Sequence, residues 1–172
     1  MRKTIAALAV MLTLCASPAR ADDSCAATYI RSAQMVGKGP FTFAFWHVYD
    51  AALYAPEGRY AADAPHALKL VYRQNIKGRK IVDSSIDEMR KNGAKDDKKL
   101  AAWERQMAAI FPDIAPGDSL TGVYTGSGTV FCQEGRKIGH IDGHDFAHHF
   151  FGIWLSDKTS APDLRRKLLG GT

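Results

Sequence analysis

Phe41-Thr42-Phe43-Ala44-Phe45-Trp46-His47-Val48-Tyr49 places Phe41, Phe43 and Phe45 on one side of an extended chain. Period-two alternation of this kind marks a β-strand. The run reads as one strand over residues 41–55, ended by Ala55-Pro56-Glu57-Gly58. Upstream, Gly37-Lys38-Gly39-Pro40 reads as a turn separating it from a strand over 28–36. Downstream, residues 68–72 form a third strand, with Leu68, Leu70 and Tyr72 on one face and Lys69 and Val71 on the other.

The period then changes. Residues 78–92 set Val82, Ile86 and Met89 on one helical stripe, and Gly93 is a natural stop. Residues 96–111 do the same with Leu100, Trp103, Met107 and Ile110 before Pro112, and Asp96 and Asp97 suit the helix start. Residues 119–124 and 129–132 form a hairpin about Gly126-Ser127-Gly128, and a second turn leads into 137–141. An apolar helix over 142–155 follows. A short last helix carries Leu164 and Leu168, with Ser160-Ala161-Pro162-Asp163 as its capped start. Strands, two helices, strands, two helices is an α+β order. The expected architecture is an antiparallel sheet packed on one face by helices, with a groove between the layers.

The chain has 172 residues, 46% apolar and 24% charged, an ordinary globular composition. Residues 1–21 read as a cleavable signal peptide: Arg2 and Lys3, then an apolar core of about a dozen residues, too short to span a bilayer comfortably, then Ala19-Arg20-Ala21 as the cleavage site. A buried N-terminal helix, or a lipoprotein anchored through Cys15, are the other readings of this stretch. Cleavage predicts a periplasmic protein with no stable membrane insertion and one domain over 22–172. The leader carries three of the 23 basic residues and none of the 18 acids, so the mature balance is only +2. That charge, without a basic stripe interleaved with aromatics, argues against a nucleic-acid partner. Cys25 and Cys132 remain, an even pair that an oxidising compartment is expected to join. Two separate thiols are the alternative. There is no C-x-x-C to suggest redox chemistry.

Constellations of chemical residues are few. His144 and His148 share a helix face at i, i+4, and His140 precedes them, which is the spacing of a metal site; but there is no H-E-x-x-H, a surface histidine stripe opposite Phe146, Phe150 and Ile153 is the preferred reading, and no metal or other cofactor is expected. Gly126-Ser127-Gly128 lacks the G-x-S-x-G pattern of a nucleophile elbow. Lys77-Gly78-Arg79-Lys80 is basic at a helix start but is no P-loop.

Three phrases stand together: Val48-Tyr49-Asp50-Ala51-Ala52-Leu53-Tyr54-Ala55-Pro56; Ile110-Phe111-Pro112-Asp113 leading to Pro116-Gly117-Asp118; and Phe150-Phe151-Gly152-Ile153-Trp154-Leu155. With them the chain resembles the bacterial, exported branch of the chalcone isomerase-like family over most of residues 30–170. The resemblance implies a large antiparallel sheet packed by helices, with a ligand cleft between them. It implies two kinds of activity: isomerases that close chalcones into flavanones, an intramolecular lyase reaction, and non-catalytic fatty-acid binding. The isomerases' site positions carry over to Phe41 for an arginine, Tyr49 for a threonine, Lys77 and Ser84 for a tyrosine and an asparagine, and Gly152 for a late-helix hydroxyl. None matches. A guanidinium supplies fixed, permanently charged donors to an oxygen that gathers charge, and Phe41 supplies none. The expectation is therefore a non-catalytic protein binding a small amphipathic molecule, a fatty acid or an aromatic, along Phe41, Tyr49, Lys77, Ser84 and Gly152. Lys77, Arg79 or Lys80 would hold its anionic end. An isomerase acting on a chalcone-like or other enone is the alternative.

Overall fold

The computed structural model describes residues 24–171; the leader expected over 1–21 lies outside them. In chain order the elements are α1 (Ser24–Tyr29), β1 (Ala33–Phe43), β2 (Trp46–Pro56), β3 (His66–Tyr72), α2 (Gly78–Lys91), α3 (Asp97–Ile110), β4 (Ser119–Tyr124), β5 (Gly128–Gln133), β6 (Arg136–Asp142), α4 (His144–Leu155) and α5 (Pro162–Leu168). The six strands form one sheet in sequence order, each antiparallel to its neighbour. The helical pair α2–α3 is an excursion between neighbouring strands. Its ends are tied where it leaves and rejoins the sheet: Ile76 bridges Ile114, and the Gly117 N–H donates to the Tyr72 carbonyl at 2.8 Å.

Alternation along the strands builds two interfaces. Leu53, Leu68, Leu70, Tyr72, Leu120 and Phe131 face the helical layer, the main core. There α5 packs on β1, α4 on β5, α3 against β6, and α2 on α3 and α4. The C-terminal half of α4 is apolar on nearly every side because it lies between other elements, with Phe150, Phe151 and Trp154 buried, while His144, Asp145 and His148 are exposed in its first half. On the other sheet face Tyr54, Ala67, Val123, Val130 and Cys132 pack with Cys25, Ala26 and Ile30. The Cys25–Cys132 disulfide joins that layer, with Cα atoms 6.4 Å apart across a sequence separation of 107. The four longer helices thus cover one face, as expected, and the six-residue α1 is an addition on the reverse. Thr28 and Tyr29, which favour strands, led to a strand reading there.

The first hairpin differs from its sequence reading. Gly37-Lys38-Gly39-Pro40 lies inside β1, and the turn falls at Ala44-Phe45, between the paired residues Phe43 and Trp46. The glycines serve close approach instead of reversal: a Cβ on Gly37 would stand 2.1 Å from the carbonyl oxygen of Lys167, at the end of α5. Pro40 is tolerated because β1 is an edge strand. Phe45 consequently leaves the expected strand face and sits in the turn. The last helix also begins differently. Ala161 is its N-cap, with no side-chain cap, and the Ser160 hydroxyl donates instead to Glu88 at 2.6 Å. At α3 the Asp96 carboxylate accepts from the backbone N–H groups of Lys98 and Lys99.

Candidate functional site

Between α2 and the strands beneath it lies a cavity of about 660 Å³. Leu68, Leu70, Leu120, Gly122 and Phe131 line it from the sheet, and Phe150, Ile153 and Trp154 from α4. Phe41, Phe43 and Tyr49 close the end formed by the first hairpin, while Lys77, Lys80, Ile81, Ser84, Ser85 and Glu88 line it along α2. Gly122 keeps the floor open, since even a Cβ there would lie 3.3 Å from Phe150 and 3.5 Å from Phe131 and Phe151. An apolar volume with a few polar groups is the usual make-up of a small-molecule site.

The polar groups are individually placed. Tyr49 stacks on Phe41, ring centroids 4.9 Å apart, and meets Tyr72 edge-on at 5.7 Å. Its hydroxyl oxygen accepts from the Trp154 indole N–H at 2.9 Å. The phenolic hydrogen of Tyr49 and the hydroxyl of Tyr72 are left without acceptors among the described residues. Burial raises the pKa of Tyr49; the Trp154 hydrogen bond opposes that rise and the negative charge of Glu88 adds to it. Burial, with a smaller contribution from Tyr49, raises that of Tyr72. Both phenols stay neutral hydrogen-bond donors. Glu88 is held by Lys91 at 2.7 Å and by Ser160.

The cations along α2 are not equivalent. Lys77 donates to Asp113 at 2.7 Å, and that bond raises its pKa. Arg79 pairs with Asp83 and Glu104 and does not line the cavity. Lys80 is exposed, lines the cavity, and has no carboxylate partner among the described residues. Among the described residues, no arginine lines this cavity.

Of the five positions carried over by resemblance, Phe41, Tyr49, Lys77 and Ser84 line this one cavity. Gly152 does not: it lines a second cavity of about 350 Å³ on the other side of α4, with His66, Asn92, His144, His148, His149 and Arg165 among its walls. The next two residues, Ile153 and Trp154, line the main cavity. Tyr72, Glu88 and Gly122 were not singled out from the sequence. Tyr72 read only as core beside Leu68 and Leu70; the available signal was its hydroxyl, which needs a polar destination when the ring is buried. Four histidines line that second cavity, but not as metal ligands. His144 and His148 stack with centroids 6.2 Å apart, and no three His, Cys, Asp or Glu side chains among the described residues gather as a metal site would require.

A sheet, a helical layer and an apolar cleft between them are the features the resemblance implied. The family model described as chalcone isomerase-like matches residues 22–170. The chain belongs to the chalcone isomerase-like family. An uncharacterized protein of Haemophilus influenzae is 28% identical over 140 residues, covering 81% of this chain and 69% of the relative. Among solved structures, an Arabidopsis thaliana fatty-acid binding protein superposes with a TM-score of 0.63 at 15% identity, over 81% of this chain and 87% of that one. At that identity the likeness is one of fold.

Proposed function

We propose that this chalcone isomerase-like protein is a non-catalytic, exported carrier of a small amphipathic molecule, a fatty acid or an aromatic acid. The cavity carries the reading: about 660 Å³, largely apolar, with a lysine at its rim that has no carboxylate partner among the described residues. Glu88 inside the cavity repels a carboxylate, whereas Lys80 at the rim attracts one. The ligand therefore lies with its apolar part among Leu70, Phe131 and Phe150 and its acidic end toward Lys80. Tyr49 and Tyr72 donate to any oxygen along its length. The fatty-acid binding of the Arabidopsis relative supports the ligand class. Export to the periplasm is supported by the leader pattern and by a disulfide that suits an oxidising compartment.

Native mass spectrometry of protein recovered from the periplasm tests the reading, with displacement of a fluorescent fatty acid as its second arm. A co-purified amphiphile or saturable displacement is expected. Neither, in repeated preparations, overturns it. The same sample reports whether the chain begins at Asp22. The enzymatic alternative rests on the Tyr49 hydroxyl, which could donate to an enone oxygen. Incubation with chalcones is expected to yield flavanone no faster than the spontaneous reaction, because no fixed guanidinium among the described residues faces the cavity.

A further inference from the structure

The tip of the β1–β2 hairpin carries three large rings in the open: Phe43 is 70% exposed, Phe45 98% and Trp46 66%. Turns are ordinarily built from Gly, Asn, Asp, Ser and Pro. Here the two-residue turn is Ala44-Phe45, flanked by Phe43 and Trp46. The tip also projects. Pairing of β2 with β3 begins only at Tyr49 and Tyr72, and the further bonds toward the tip are Arg73 N–H to the Val48 carbonyl and Gln74 to the His47 carbonyl. Phe43 belongs to both surfaces: it lines the cavity and stands at the tip. Apolar surface therefore runs from the cavity out to the hairpin's end.

We infer that this tip docks on the surface of a lipid bilayer, with Phe43, Phe45 and Trp46 in the interfacial region and the cavity mouth turned toward the lipid. Aromatic side chains with one wet and one dry end settle at that depth. Lys80, exposed and without a carboxylate partner among the described residues, lines the same cavity as Phe43 and suits anionic headgroups. The area favours a soft surface over a second copy of the chain. Taken at ~200 Å² per ring, the three exposed rings offer roughly 450 Å², against about 800 Å² per partner in a stable protein interface. Contact is peripheral: no helix among the described residues is long and apolar enough to cross a membrane. Docking needs no occupied cavity; only the naming of the bilayer as the ligand's source rests on the proposed function.

The protein carries its own reporter. Of its three tryptophans, Trp103 and Trp154 are 8% and 7% exposed, and Trp154 lines the cavity, so the fluorescence is followed in a Trp154→Phe background, where a lipid-induced change reads Trp46. Mixing with vesicles of phosphatidylcholine and phosphatidylglycerol is expected to shift the emission to the blue, to let brominated lipids quench it, and to carry the protein up in flotation. Phe45→Ser, a change at a residue that lines neither of the two cavities described, is expected to weaken vesicle partitioning about tenfold while fatty-acid displacement stays unchanged. Phe43→Ser with Phe45→Ser should abolish flotation with the circular dichroism spectrum intact. Failure to float or shift overturns the inference, as does partitioning indifferent to both variants. A blue shift that appears without lipid as protein concentration rises, with dimer in sedimentation, also overturns it, because a second copy would then be covering the tip. Loss of fatty-acid binding in the wild type alongside intact flotation would sink the carrier reading alone.

Discussion

Ala44 occupies a left-handed backbone position, φ 53°, at the first residue of its turn. An L-residue pays roughly 1–2 kcal/mol there, which glycine avoids, though glycine also loses more entropy on folding. Ala44→Gly is accordingly expected to raise the urea midpoint, by a gain of up to ~1 kcal/mol. Gly37 shows the opposite constraint: a Cβ there meets the backbone oxygens of Lys167 and Leu168 at 2.1 and 2.7 Å. Gly37→Ala must separate α5 from β1, and a loss of more than ~2 kcal/mol is expected in the same assay. At the cavity, Lys80→Ala removes the cation assigned to the ligand's acidic end. Since an exposed ion pair contributes about 0.2–1 kcal/mol, fluorescent fatty-acid titration should show affinity lowered about two- to fivefold. Ser84→Trp, at an exposed position on the rim, should block entry while leaving the melting temperature within a few degrees. These residue-level assignments were only partly legible. Phe41, Tyr49, Lys77 and Ser84 came from aligned phrases, but which lysine lacked a carboxylate depended on Asp113, 36 residues from Lys77.

Among the elements, most helices and strands declared themselves by period. Val82, Ile86 and Met89 on α2, and Leu100, Trp103 and Met107 on α3, are buried as their spacing required. The first hairpin misled because glycine and proline mark both turns and places where backbones crowd; only the position of α5 decides between them. The helix α1 was hidden for a different reason. Six residues cannot sustain a helix alone, and this one holds its place through Cys25, Ala26 and Ile30 against the reverse face of the sheet. The bridge to Cys132 closes a long loop, and such bridges contribute about 2–4 kcal/mol in practice. Reduction, or Cys25→Ala with Cys132→Ala, is expected to lower unfolding free energy by that amount in urea titrations. The helical face of the sheet, which holds the cavity, should keep its ligand under conditions where both forms are folded.

For the whole molecule, stability should fall in two stages on acidification. Burial depresses the pKa of His66, whose Nδ1–H donates to the Ala64 carbonyl while Nε2 has no partner among the described residues; burial also lowers His149, against the pull of Asp145. The unfolded chain binds these protons first, so stability is complete above the ordinary histidine value of about 6.5 and declines as the pH drops through it, levelling below the native values. The second stage belongs to Asp113, lowered by its hydrogen bond from Lys77, to Asp145, lowered by that from Lys99, and to Asp50, where the opposing effect of burial is outweighed by hydrogen bonds from Arg73 and His47. Their contribution is present above about pH 4 and is lost as the pH falls through their depressed native values. Urea midpoints at pH 7.5, 5.5 and 3.5 check both stages, and His66→Phe should flatten the first. The amino-acid sequence by itself determined the α+β class, the order of the six strands and the four longer helices, the cysteine pair and the family, because these follow from local period, counting and short contiguous phrases. Only the tertiary structure decided where the first hairpin turns, that Gly152 faces away from the cavity while Trp154 reaches Tyr49, and that Lys80 stands unpaired at the rim among the described residues. Each of these is a distance between residues far apart along the chain, and a linear pattern contains no such distance until the layers pack.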